Sequence, residues 1–227
     1  MKIHRLVALG ALAFLSLAGS GCSSDILDPV IEIPEKRYVV VVPFRDMNYD
    51  NGFDSPLGSD LATRVTRLIK EKGEFRVRPI QLVIELYQED NPRNLTAKEV
   101  AEKTKADYVI MGDVIRWRLA DENMYGGLKR GSCSIDISIY ETADAAMERL
   151  DGTDDKEDLP KNGRGRLAIA KKRVSAAFPQ EYGMKEYGSY DMTDEQIETG
   201  LLNSAALQIA WILVPHTKDE DRLMQGK

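Results

Sequence analysis

The chain has 227 residues, 43% of them apolar, which is material for one hydrophobic core plus tails. Its formal charge of −6 argues against nucleic acid as the main partner. Only two histidines, His4 and His216, are present, which excludes most histidine-dependent triads and zinc sites.

Met1–Gly21 has the layout of a targeting segment. Lys2, His4 and Arg5 form a positive start, and Leu6–Ala18 is an apolar run too short to span a bilayer comfortably. Small residues, Ala18-Gly-Ser-Gly21, lead into Cys22. This resembles the lipobox of bacterial lipoproteins, in which the chain is cleaved before the cysteine and the cysteine is acylated. Gly19 stands where that pattern has an aliphatic residue. The resemblance implies acylation of Cys22, a signal segment over 1–21 and, from Ser23, an outer-membrane anchor facing the periplasm. Loss of Lys2 and Arg5 would take the formal charge from −6 to −8. Cys133 would then be the only unmodified thiol, with no partner for an intramolecular disulfide.

Residues 22–36, with Pro29 and Pro34, read as a tether. Arg37–Phe44 follows as a strand. Its β-branched run, Val39-Val-Val-Val42, has no polar alternation, so both faces are expected to be buried. The loop Arg45–Asp54 is rich in Asp and Asn. Asp46, Asn48 and Asp50 alternate as calcium ligands do, but Asn51 replaces the turn glycine and Leu57 the bidentate glutamate, which favours a solvated loop.

A helix is predicted from Ser55 and Pro56, with Leu57, Leu61, Val65, Leu68 and Ile69 on one face and Gly73 as a left-handed stop. A short strand over Phe75–Arg78 and a helix with Ile80, Val83, Ile84 and Tyr87 in line come next. Thr96-Ala-Lys-Glu99 is a capping box that opens a third helix. Asp107–Trp117 reads as a second apolar strand.

Ser132–Thr142 alternates cleanly. Cys133, Ile135, Ile137 and Ile139 lie on one face, with Ser134, Asp136, Ser138 and Tyr140 on the other, as in a half-buried antiparallel strand. Cys133 on the apolar face is expected to pack rather than react. Residues 143–165 are a charged excursion. Arg166–Phe178 returns as an edge strand, and Arg164, Arg166, Lys171, Lys172 and Arg173 concentrate there. Thr193 and Gln196 form a second capping box before a helix carrying Ile197, Leu201, Ala205, Ile209 and Ile212. Residues 215–227 read as a charged tail.

These elements define one α/β (α+β) domain over 37–214, a mixed sheet with helices packed on it. The order of motifs resembles a periplasmic domain found in three groups. These are the curli-secretion channel lipoproteins, the penicillin-binding-protein activator lipoproteins and the N-terminal domain of the Tol-Pal β-propeller protein. The carriers are Val39–Phe44, Leu57-Gly58, Phe75–Val77 and Ala106–Val114, within a stretch of about Arg37–Thr142. The resemblance implies a non-catalytic scaffold, assembly factor or regulator of the cell envelope, with no cofactor. An oligomeric outer-membrane secretion channel is the alternative.

Candidate contacts to an envelope protein are Arg164, Arg166, Lys171, Lys172 and Arg173, together with Asp46, Asp50 and Asp54. No metal site is expected, and homo-oligomers remain open. A carboxylate-pair hydrolase is a third class, and a pocket lined by two acids is the feature that would favour it.

Overall fold

The computed structural model describes residues 26–49, 52–53, 55–89, 95–119, 130–142, 145, 168–179 and 192–220. Cys22, Asp50, Asp54, Arg164 and Arg166 lie outside the described residues, as do the signal segment and all of the 143–165 excursion except Ala145.

The main sheet is mixed, as its sequence predicts. Strands β2 (Tyr38–Val41), β3 (Arg45–Asp46), β4 (Arg76–Val77) and β5 (Tyr108–Arg118) run parallel. Strands β6 (Gly131–Glu141) and β7 (Ala168–Phe178) continue antiparallel, giving the order β4-β2-β5-β6-β7, with β3 beside β5. The valine-rich strand is therefore next to an edge, and β5 is the middle strand.

Val39 and Val41 point into the larger core and Val40 and Val42 into a second, smaller one, so β2 is buried on both faces. The larger core lies beneath α1 (Pro56–Lys72) and α4 (Asp194–Ala210). The smaller lies beneath α2 (Ile80–Glu89) and α3 (Ala97–Thr104). Helix α4 contacts α1, β6 and β7 together. Leu202, Ala206 and Ala210 are thus buried beside the predicted face of Ile197, Leu201, Ala205 and Ile209.

Two glycines set close approaches. Gly58 in the first turn of α1 lies against the backbone of Phe44, where a Cβ would collide with the Phe44 carbonyl. Gly112 in β5 leaves room for the Phe44 ring, and a Cβ there would also come within 2.9 Å of Ile137 Cδ1.

Both capping boxes form. Thr96 and Thr193 hydroxyls accept from Glu99 and Gln196 amides, and the Glu99 and Gln196 side chains accept from the cap amides. Two other end signals differ. Ser55 makes no cap bond, and its hydroxyl donates to Asp46. Gly73 is extended (φ −87°, ψ 149°), although its amide still donates to Ile69 O at 2.8 Å. The left-handed residue after a helix is Lys105 (φ 55°).

β5 also departs from simple alternation. The β5–β6 register slips between Val114 and Arg116, leaving Ile115 as an extra, exposed residue. The slip pairs Val114 with Ile135 and Trp117 with Cys133, both on the apolar face. Without it, residues three apart would face opposite ways.

The chain's two ends are not loose where they are described. β1 (Ile26–Leu27) pairs antiparallel with β8 (His216–Thr217). Ile31 N–H donates to Ile212 O at 2.9 Å, and Ile33 is buried in the main core. Lys72 at the end of α1 pairs with Glu220 at 2.7 Å. The described parts of the expected tether (26–36) and of the expected tail (215–220) therefore both contribute to the folded body. Apolar Ile31 and Ile33 find a core face, and the exposed polar backbone of each segment finds the other.

Candidate functional site: the uncovered half of the sheet

Among the described residues, α2 and α3 cover only the β2 and β5 portion of their face, over Val40, Val42 and Val109. Met111 packs, partly buried, at the margin of that cover, and the rest of the face carries Asp113, Arg116 and Arg118 from β5. Opposite these four in register are Ser138, Asp136, Ser134 and Ser132 of β6. β7 adds Lys171 opposite Ser138 and Arg173 opposite Asp136. Residues directly opposite in an antiparallel pair share a face.

At the margin of α3 this surface deepens into a cleft of about 220 Å³. Its walls include Pro43, Phe53, Leu95, Met111, Ser138 and Tyr140. Asp113 and Asp136 also line it, directly opposite each other across β5 and β6. Each is held by an arginine. Arg45 Nε donates to Asp113 Oδ1 at 2.8 Å. Arg173 donates through Nε and Nη2 to the two Asp136 oxygens at 2.6 and 2.7 Å, a fork-to-fork pair. The Arg173 hydrogen bonds hold Asp136 below the usual carboxylate range, so it is an anion at neutral pH and not a proton donor.

The rim is the turn between β3 and α1. Asp46, one of the expected partner contacts, is 4% exposed. Its carboxylate accepts from Asn48 N–H, Asn48 Nδ2 and Ser55 Oγ at 2.9–3.1 Å, so it braces the turn and does not reach a partner. A buried carboxylate needs such donors, and this short-range set meets the need. Phe53 packs edge-on against Tyr87 of α2 at 5.3 Å. Burial pushes the Tyr87 hydroxyl far above its ordinary value. Met47 and Tyr49 of the same turn are 51% and 59% exposed. The sequence reading passed them over, because an exposed Met or Tyr gives no signal until the turn is fixed by its acid.

The structure brings the turn and the basic strand onto one surface, although they are more than a hundred residues apart. Lys171 and Arg173 face the cleft side. Lys172 pairs with Ile137 and faces the other way. Arg116 and Arg118, which were not among the contacts expected from the sequence, join Arg45, Lys171 and Arg173 on the uncovered face. Among the described residues, that face has five cations against two carboxylates, on a chain whose formal charge is −6. Arg116, Arg118 and Lys171 are exposed. Cys133 is on the opposite, buried face, and burial pushes its thiol up to about 11. No group of three metal-ligating side chains occurs among the described residues. No described helix is long and apolar enough to cross a membrane.

No protein-family model matches the chain, and no curated protein matches its sequence. Several solved structures are similar to it at low identity. The PelC dodecamer from Paraburkholderia phytofirmans is 11% identical, covering 83% of this chain and 95% of that one, with a TM-score of 0.43. Lipoprotein GNA1162 from Neisseria meningitidis is 12% identical, covering 77% and 98%, also at 0.43. The hypothetical protein CT253 from Chlamydia trachomatis is 9% identical, covering 77% and 96%, at 0.42. At these values no role is carried over from any of them.

Proposed function

We propose that this chain is a lipid-anchored cell-envelope protein that works without catalysis, by binding a protein partner on the uncovered half of its sheet. The anchor reading is supported by the apolar run Leu6–Ala18 ending at Gly21-Cys22. The binding reading is carried by one observation, the surplus of positive charge on a sheet face that no described helix covers. Sheet faces that lack a helical layer, flanked by exposed Met and Tyr, suit a partner surface. The charge selects an acidic segment, and such selection acts on encounter rate and specificity more than on raw affinity.

The acid pair in the cleft does not favour the hydrolase reading. A carboxylate general acid needs a raised pKa, and Arg173 moves Asp136 the other way. The channel reading gains no specific observation.

The test is photo-crosslinking from Tyr49 and Arg116 in whole cells, with Arg67 on the outer face of α1 as control. One envelope protein joined to both positions and not to Arg67, and lost in an Arg116→Glu/Lys171→Glu variant, is the expected result. Crosslinks unaffected by charge reversal would overturn the binding surface. Ring particles of the detergent-extracted protein would favour the channel.

A further inference from the structure

We propose that the β1–β8 end is a second membrane contact and that it sets the orientation of the whole domain on the lipid surface. The inference rests on the acylated Cys22 of the proposed function. Ile26, the first described residue, is locked in β1 by its pairing with Thr217. Only Ser23, Ser24 and Asp25 separate it from Cys22. At about 3.8 Å per residue, four Cα steps reach at most about 15 Å. An acyl chain on Cys22 therefore holds this end of the domain within the headgroup layer or directly above it.

The surface there fits that position. Ile26 and Val30 are 66% and 56% exposed, and they lie on the segment that enters the body. Ile31 and Ile33, further along, already pack on the core. Two aliphatic side chains facing water beside a lipid anchor gain by moving into the interface. Asp28 and Glu32 are exposed between and after them, so the contact is apolar and not an attraction to anionic lipid.

The opposite end is set by α1. Its last residue, Lys72, is tied to Glu220 at the β8 end, and Ser55 before its first turn is tied to Asp46 in the turn that carries Met47 and Tyr49. A helix of 17 residues is about 25 Å long. The Met47–Tyr49 rim thus lies at the far end of α1 from the β8 contact, so the proposed orientation carries it away from the bilayer.

The experiment uses the full-length, acylated protein with a fluorophore on Val30→Cys, Ile26→Cys or Tyr49→Cys, labelled after purification; buried Cys133 stays unlabelled in the native fold. The protein is reconstituted into phosphatidylcholine vesicles and into phosphatidylethanolamine–phosphatidylglycerol vesicles containing a nitroxide-bearing lipid. The proposal expects quenching of the Val30 and Ile26 probes severalfold above that of the Tyr49 probe, in both lipid mixtures. Acylated protein with equal quenching at all three sites would overturn the orientation alone. Protein without acyl mass that fails to float with vesicles would overturn the anchor and the orientation together.

Discussion

Arg173 grips Asp136 through both guanidinium edges, Nε and Nη2, across the last strand pair of the sheet. The pair ties β7 to β6 on the uncovered face. It engages one of that face's cations, as Asp113 engages Arg45, whereas Arg116, Arg118 and Lys171 lie opposite serines, Ser134, Ser132 and Ser138.

Asp136 therefore titrates below the ordinary aspartate value of 3.8 in the native chain. Because its folded pKa is lowered, the pair's contribution is fully present above the ordinary aspartate range. It is lost as pH falls through the lower native value. An NMR titration of the Asp136 carboxyl is expected to show this, and Arg173→Gln is expected to return it towards 3.8. Both groups are well exposed, so the effect on global stability is small.

Cys133 should be inert. With its thiol pushed up to about 11 and its side chain buried, it is protonated and shielded at pH 8. In the Cys22→Ser protein it is the only thiol, so a thiol-reactive dye should label nothing in the native state and one equivalent after unfolding. Rapid labelling of the native protein would place Cys133 elsewhere.

Gly112→Ala should destabilise the domain. Its added methyl meets the Phe44 ring and Ile137, both packed into the main core. Overpacking of this kind costs about 1–3 kcal/mol. Ser138→Ala, a neighbour on the uncovered face, should change little. Denaturant midpoints of the two variants check the contrast.

The β1–β8 clamp should weaken in acid. The Lys72 hydrogen bond, with help from the Thr217 amide, lowers the Glu220 pKa below its ordinary 4.5. A lowered carboxylate stabilises the clamp above the ordinary range and ceases to do so as pH falls through its own value. Glu220→Gln at neutral pH should mimic the acid state. The readout is hydrogen exchange of the Ile26–Leu27 and His216–Thr217 segments, whose protection should fall while that of β5 and β6 holds.

Much of the fold was legible because its signals are local. Four consecutive valines demanded burial on both faces, the Cys133–Ile139 alternation fixed the inward side of β6, and two capping boxes marked helix starts. What was missed depends on distant pairing. Ile26–Leu27 and His216–Thr217 are two residues each, too short for a periodicity, and their contact spans almost the whole chain. The slip at Ile115 is visible only against β6. Ser55 reads as a cap and Asp46 as a solvated acid until the turn folds and gives each to the other. For the candidate surface, Lys171, Lys172 and Arg173 were found as a run, but a run cannot tell which members share a face. Arg116 and Arg118 become part of the site only through their pairing with Ser134 and Ser132.

The central claim is that a lipid at Cys22 holds this domain to the envelope. Intact mass and membrane fractionation of the wild-type and Cys22→Ser proteins test it most directly. The account predicts a wild-type chain cleaved before Cys22, heavier by acyl groups and sedimenting with outer membrane, and a mutant lacking both the added mass and the membrane association. Two soluble, equally processed proteins without acyl mass would contradict it.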